Sequence, residues 1–317
     1  MPATEVKPYK APVLRGSRKT FAELQKVNRR RSLFLAASLI LILGILGALV
    51  GSYFGDWLIG VAGGMVLAVI QFSIARSAGN KMVLAAMGAK PLDRRDDPQL
   101  VNVVEEIAIA AGIPCPEIYL MQDDSPNAFA TGFTPKNAQV AITTGLREKL
   151  NRAELQAVMA HELGHIRNGD TGYMVLMAVL VGSIALISDM ALRSFRYGSF
   201  GRSRKSKGGG GGALILVLLI VFSLLAPLFS KLLQAAVSRQ REFLADATSV
   251  ELTREPTALI DALQKLTRDP TPLKSANRAV QHMFIVNPFK RHKLGGNAFS
   301  SHPKLADRIN RIRRLMS

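Results

Sequence analysis

The chain has 317 residues, 48% of them hydrophobic, and a formal net charge of +18. That apolar content excludes a disordered chain, and the single cysteine, Cys115, excludes a disulfide scaffold and gives no sign of an oxidising compartment. A mean hydropathy of +0.18 is unusual for so basic a soluble protein, and the length allows one to two domains.

Residues 1–32 hold nine Lys/Arg and two Glu, a basic tail of +7. Two uncharged blocks follow, 33–55 and 57–75. Each is about the 20 residues that a helix needs to cross a 30 Å hydrocarbon layer. The first is longer than the apolar region of a signal peptide, and the second follows at once. Residues 33–78 are therefore read as a transmembrane helical hairpin turning near Gly55-Asp56. The basic tail predicts a cytoplasmic N-terminus, which returns the chain to the cytoplasm from residue 76 onward.

The next stretch reads as a soluble α/β unit. Leu100, Val103, Val104, Ile107 and Ala111 recur at helical spacing over 98–112. Glu117–Met121 and the β-branched run 139–144 are strand candidates, with Ser125–Gly132 between them. Asn151 with Glu154 three residues on predicts a capped helix start. That helix carries His161-Glu162-Leu163-Gly164-His165, with Leu155, Val158 and Met159 as its docking face. Histidines four apart lie about 40° apart on one helical face, so both imidazoles reach one metal. Zn²⁺ suits imidazole nitrogen. Glu162 beside the first histidine is placed to take a proton from water attacking a carbonyl.

Two further uncharged blocks, 171–188 and 208–230, flank a basic loop, 191–212, with six Lys/Arg and no acid. Both blocks are marginal for a crossing. The tail, this loop and 301–317 carry 17 of the 18 net charges, so the charge flanks apolar blocks. That distribution, with no nucleic-acid module, argues for lipid headgroups and against nucleic acid as the partner. Beyond the fourth block, Glu242 and Asp246 are again four apart on one helical face. One acid could complete a catalytic zinc's usual three protein ligands, and the other could fix a ligand imidazole through a hydrogen bond. His282, His292 and His302 are the remaining histidines.

These residues resemble the HtpX-type membrane zinc metalloproteases. The resemblance rests on four motifs in order: Asn127-Ala128-Phe129-Ala130-Thr131-Gly132, His161–His165, Ser238-Arg239-x-x-Glu242-x-x-Ala245-Asp246, and Ser301-His302-Pro303 with Arg308. It covers about 33–317. It implies His161, His165 and Glu242 as ligands of one Zn²⁺, Glu162 as general base, and Asp246 as the hydrogen-bond partner of a ligand histidine. It also implies His302 and Arg308 as groups that position or stabilise the polarised carbonyl, and Asn127, Ala128 and Phe129 as contacts of an extended substrate.

The resulting expectation is a mainly α membrane protein, with helical transmembrane hairpins and an α+β zincin-like protease domain with a small sheet. Its parts are the tail 1–32, the hairpin 33–78, a first protease segment 79–170, two further membrane-embedded helices in 171–232, and a second protease segment 233–317. One metal needs residues 161–165 and 238–246 on the same side, so 171–230 crosses twice or not at all. Two crossings would put the basic loop on the far side, against the charge rule, and its side stays open.

The function expected is a multi-pass cell-membrane (inner or plasma membrane) endopeptidase with a cytoplasmic active site. It would hydrolyse peptide bonds through a zinc-activated water, and the resemblance implies damaged or misassembled membrane proteins as substrates. The alternative is a catalytically silent zinc-binding membrane scaffold, against which Glu162 argues.

Overall fold

The computed structural model describes residues 56–179, 239–274, 283–285, 303 and 305–316, with scattered positions between 30 and 48. The basic loop 191–212, the fourth apolar block and His302 lie outside the described residues. Helix α1, Trp57–Ala86, starts at Asp56, whose carboxylate accepts from the Leu58 and Ile59 N–H groups. The helix runs unbroken across the 78/79 boundary expected between the hairpin and the first protease segment, as far as Ala86. Thirty residues make about 45 Å of helix, more than a hydrocarbon layer needs. Trp57, Ile59, Val66 and Val69 are exposed, whereas Gly79, Asn80, Val83 and Leu84 are buried against the rest of the protein. Among the described residues α1 is the one helix long and apolar enough to cross a membrane.

A four-stranded mixed sheet follows, built from β1 (Lys90–Pro91), β2 (Glu117–Met121), β3 (Ala128–Thr131) and β4 (Gln139–Thr143) in the order β1-β2-β4-β3. β2 and β4 pair in parallel, and β3 runs antiparallel to β4 as the edge strand. The 125–132 stretch, read in sequence only as a segment between strands, thus contains a strand of its own. Alternate residues face opposite ways. Ile118, Ala128, Ala130, Val140 and Ile142 pack into one core, with α2 (Pro98–Ala111), α4 (Arg152–Arg167), α6 (Pro256–Arg268) and α7 (Leu305–Met316). Met121, Phe129 and Ala141 face the other way, onto Val83 and Leu84 of α1 and onto Met174, Val175 and Phe284. The sheet therefore separates α2, α4, α6 and α7 from the end of α1. A buried amide pair ties the two, with the Asn80 Nδ2 donating to the Gln139 Oε1 at 2.7 Å.

The short helix α3 (Thr144–Lys149) joins β4 to α4. At its start Gly145 meets the 123–125 turn, donating its N–H to the Asp123 carbonyl. A Cβ on Gly145 would sit 2.0 Å from the Asp124 carbonyl oxygen, against backbone that the Thr144–Asp123 hydrogen bonds hold in place. Gly145→Ala is expected to cost about 1–3 kcal/mol, read as a lower melting temperature of the purified protein. An unchanged melt would show that the turn yields.

Candidate active site

Helix α4 begins with a full capping box: the Asn151 carboxamide accepts from the Glu154 N–H, and the Glu154 carboxylate accepts from the Asn151 N–H. Leu155, Val158 and Met159 are wholly buried, as their spacing predicts, and this docking fixes which face carries the histidines. Helix α5, Arg239–Thr253, crosses α4 closely. The close approach needs Gly164, where a Cβ would come within 3.2 Å of Thr248. It brings Glu242 of α5 over the two histidines of α4.

The donor atoms of His161, His165 and Glu242 all lie within 4.8 Å of one another, and all three residues are buried. Glu242 Oε1 is 3.7 Å from His165 Nε2, and Glu242 Oε2 is 3.9 Å from His161 Nε2. Zinc bonds of 2.0–2.2 Å imply tetrahedral ligand separations of about 3.4 Å. Each contact needs to close by only about half an ångström around a metal. The imidazole Nδ1 atoms point away from this centre. That of His161 faces Asp246 Oδ1 at 3.0 Å, and that of His165 faces Asp170 Oδ2 at 3.1 Å. Each carboxylate accepts an Nδ1–H and leaves the Nε2 lone pair directed inward. The donor set therefore fits a zinc-type ion.

Both carboxylate oxygens of Glu162 are buried without a hydrogen-bond partner among the described residues. Burial, reinforced by Glu242 and opposed by His165 and Arg308, pushes its carboxyl up to about 7. Burial also holds His161 below its usual range, with Arg308 adding and Asp246 opposing. For His165 burial works the same way, but it is outweighed. The bond to Asp170 and the charges of Glu242, Asp170 and Glu162 raise this histidine to about 9. A metal must displace that proton, so metal affinity is expected to rise as pH increases toward about 9, by about tenfold per unit. Chelator competition between pH 6 and 9 measures this, and a flat profile would contradict it.

Arg308 is buried beneath the site. Its Nε donates to Asp246 Oδ2 at 2.9 Å, its Nη2 to Asp246 Oδ1 at 2.6 Å, and its Nη1 to the Ile285 carbonyl at 3.2 Å. Nη1 also lies 3.5 Å from Glu242 Oε2. The structure thus puts Arg308 behind His161 and Glu242, against Asp246, where the resemblance implies a carbonyl-stabilising group. Asn127 is buried at the start of β3, its side chain accepting from the Ala128 N–H. The outer edge of β3 is taken at Phe129 by Phe284, with the Ile285 N–H donating to the Ala128 carbonyl at 3.1 Å. Asp170 and Arg241 belong to this site and were not selected in the sequence reading. The one signal for them was position: Asp170 lies five residues after His165, and Arg241 immediately precedes Glu242.

The model of peptidase family M48 matches residues 94–316. The chain belongs to this family. It is a membrane metalloprotease, a hydrolase. It is 41% identical over 299 residues to a protease HtpX homolog of Thermoanaerobacter pseudethanolicus, covering 94% of this chain and 99% of that one. A protease HtpX homolog of Lactiplantibacillus plantarum is 38% identical, with 91% and 97% covered. The crystal structure of S. mikatae Ste24p shares the fold at a TM-score of 0.50 and 22% identity, over 92% of this chain and 67% of that one.

Proposed function

We propose that this M48 protease is a zinc endopeptidase in which His161, His165 and Glu242 hold the metal and Glu162 is the general base. The observation that carries the reading is the convergence of three buried donors beside a buried carboxylate that makes no side-chain hydrogen bond among the described residues. Zinc, when bound, supplies the Lewis acid that polarises the scissile carbonyl and the attacking water. Glu162 takes the proton from that water and returns it to the leaving amine. Asp246 orients His161. His302 is proposed to face the developing oxyanion. A peptide laid along the edge of β3, against Asn127, Ala128 and Phe129, would take the place that Phe284 and Ile285 hold, so those residues must yield to it.

The substrates proposed are damaged or misassembled membrane proteins, reached from the cytoplasmic face of a multi-pass cell-membrane protein. The described helical positions between 34 and 48 support a hairpin over 33–78, since Gly47 lies against the Gly60 backbone of α1. The proposed parts are otherwise a basic tail 1–32, protease segments 79–170 and 233–317, and two membrane-embedded helices within 171–232. Metal analysis of the detergent-purified chain tests the centre. One zinc per chain, with hydrolysis of an unfolded protein lost on chelation and restored by Zn²⁺, is the expected result. Hydrolysis that persists in the metal-free protein would end the reading. Bound zinc without hydrolysis would favour a silent scaffold.

A further inference from the structure

The two histidines of the centre are each backed by a carboxylate and then by an arginine. His161 leans on Asp246, which Arg308 clasps. His165 leans on Asp170, and Arg241 Nε lies 3.7 Å from the other oxygen of that carboxylate. The second set has a different origin in the fold. Asp170 stands where α4 ends. Gly169 turns the chain with φ of 73°, and the Asp170 N–H donates to the His165 carbonyl at 3.0 Å. The Asp170 carbonyl then accepts from the Met174 N–H in the helical stretch 171–179 that follows. The side chain is thus aimed back at the last turn of α4 by backbone bonds on both sides, and it is fully buried.

Arg241 closes a circuit. It lies on α5 one residue before Glu242, and its guanidinium sits 5.0 Å from the Tyr173 ring centroid. The path runs from His165 Nδ1 to Asp170, to Arg241, along one peptide unit to Glu242, and back to His165 Nε2. We propose that Asp170, anchored by Arg241, is a positioning residue that fixes the orientation and tautomer of His165 and the placing of Glu242 relative to it. This rests on the reading of His165 and Glu242 as metal ligands. A carboxylate on Nδ1 commits the proton to that nitrogen, turns Nε2 into the inward acceptor and makes the imidazole a stronger donor to a metal. An acceptor held by a buried arginine cannot drift to a second rotamer without leaving that charge behind.

The test is zinc affinity of the full-length detergent-solubilised protein by chelator competition, together with the visible spectrum of the Co²⁺-loaded protein. Asp170→Ala is expected to weaken zinc binding by about 10–100-fold, and the isosteric Asp170→Asn by about tenfold. The cobalt bands should shift in both. Arg241→Lys keeps the charge but replaces the flat guanidinium that lies beside Asp170 and over the Tyr173 ring, and should shift affinity the same way by a smaller factor. Gly145→Ala serves as the destabilised control and should leave both readouts unchanged, which separates positioning from a general loss of stability. Wild-type affinity and spectrum in both Asp170 variants would overturn the inference. If they do not fold, an unaltered Arg241→Lys decides against it. A failure of His165→Ala to weaken zinc binding would instead overturn the ligand assignment beneath it.

Discussion

Glu162→Gln is expected to abolish peptide hydrolysis while leaving the metal in place. The substitution keeps the shape of the side chain and removes its capacity to accept a proton. A positioned base contributes about 10²–10⁴-fold to such a reaction, and a loss in that range is the predicted outcome. Both Glu162 oxygens are buried with no side-chain hydrogen bond among the described residues, and the Ala130 backbone N–H near them can also be met by the glutamine carbonyl, so the change removes little besides the charge. Burial raises its carboxyl from an ordinary value to about 7 in the folded chain. The fold therefore disfavours the ionised form, and stability is lost as pH rises from the unfolded value through about 7. The glutamine variant has no such loss. After chelation it should melt higher than the unaltered protein at pH 8, and no lower at pH 4. An inactive variant that keeps one zinc and melts higher identifies a base, whereas activity within tenfold of the unaltered protein would remove Glu162 from that role.

The parts of the fold legible in the sequence are those carried by local signals. The apolar spacing of α2, the β-branched run of β4 and the Asn151–Glu154 capping box each need only a few neighbouring residues to be read, and each stands where expected. Pairs four apart on a helix, His161 with His165 and Glu242 with Asp246, are legible for the same reason. The membrane metalloprotease class followed from four such motifs in order. β3 is different. Ala128-Phe129-Ala130-Thr131 is half alanine, and its strand state comes from pairing with β4, whose partner residues lie about 8–14 positions further on. Asp170 is equally hidden, because its contact with His165 depends on a left-handed turn at Gly169, and an aspartate after a glycine reads as a loop. The full length of α1 is hidden too, because its last turns carry Lys81 and are held by packing on the sheet rather than by a local apolar pattern.

Arg308 has buried partners that its place in the sequence does not disclose. Helix α7 carries arginines at 308, 311, 313 and 314, and composition does not say which one turns inward. Ile309 and Ile312 face the core, and Arg308 goes in beside them at 2% exposure. There it is the cation for Asp246 and lies near Glu242, and those two carboxylates keep it charged despite its burial. Asp246 is held below its ordinary range by Arg308 and His161 although burial acts the other way. Arg308→Met fills about the same space and takes the buried cation away from both acids. Removing one partner of a buried pair costs about 3–5 kcal/mol, far more than a surface ion pair is worth. The expected result is a large fall in the denaturation midpoint together with weaker zinc retention. Arg308→Lys should fall between, since an ammonium cannot reproduce the two-point contact and still reach the Ile285 carbonyl. Adding Asp246→Asn to Arg308→Met should recover part of the stability, because that acid's charge is gone, and the double-mutant cycle measures the coupling. If Arg308 served only to stabilise a polarised carbonyl, its methionine variant would keep its melting point and its zinc and lose turnover alone. The two roles therefore give opposite results in one denaturation experiment.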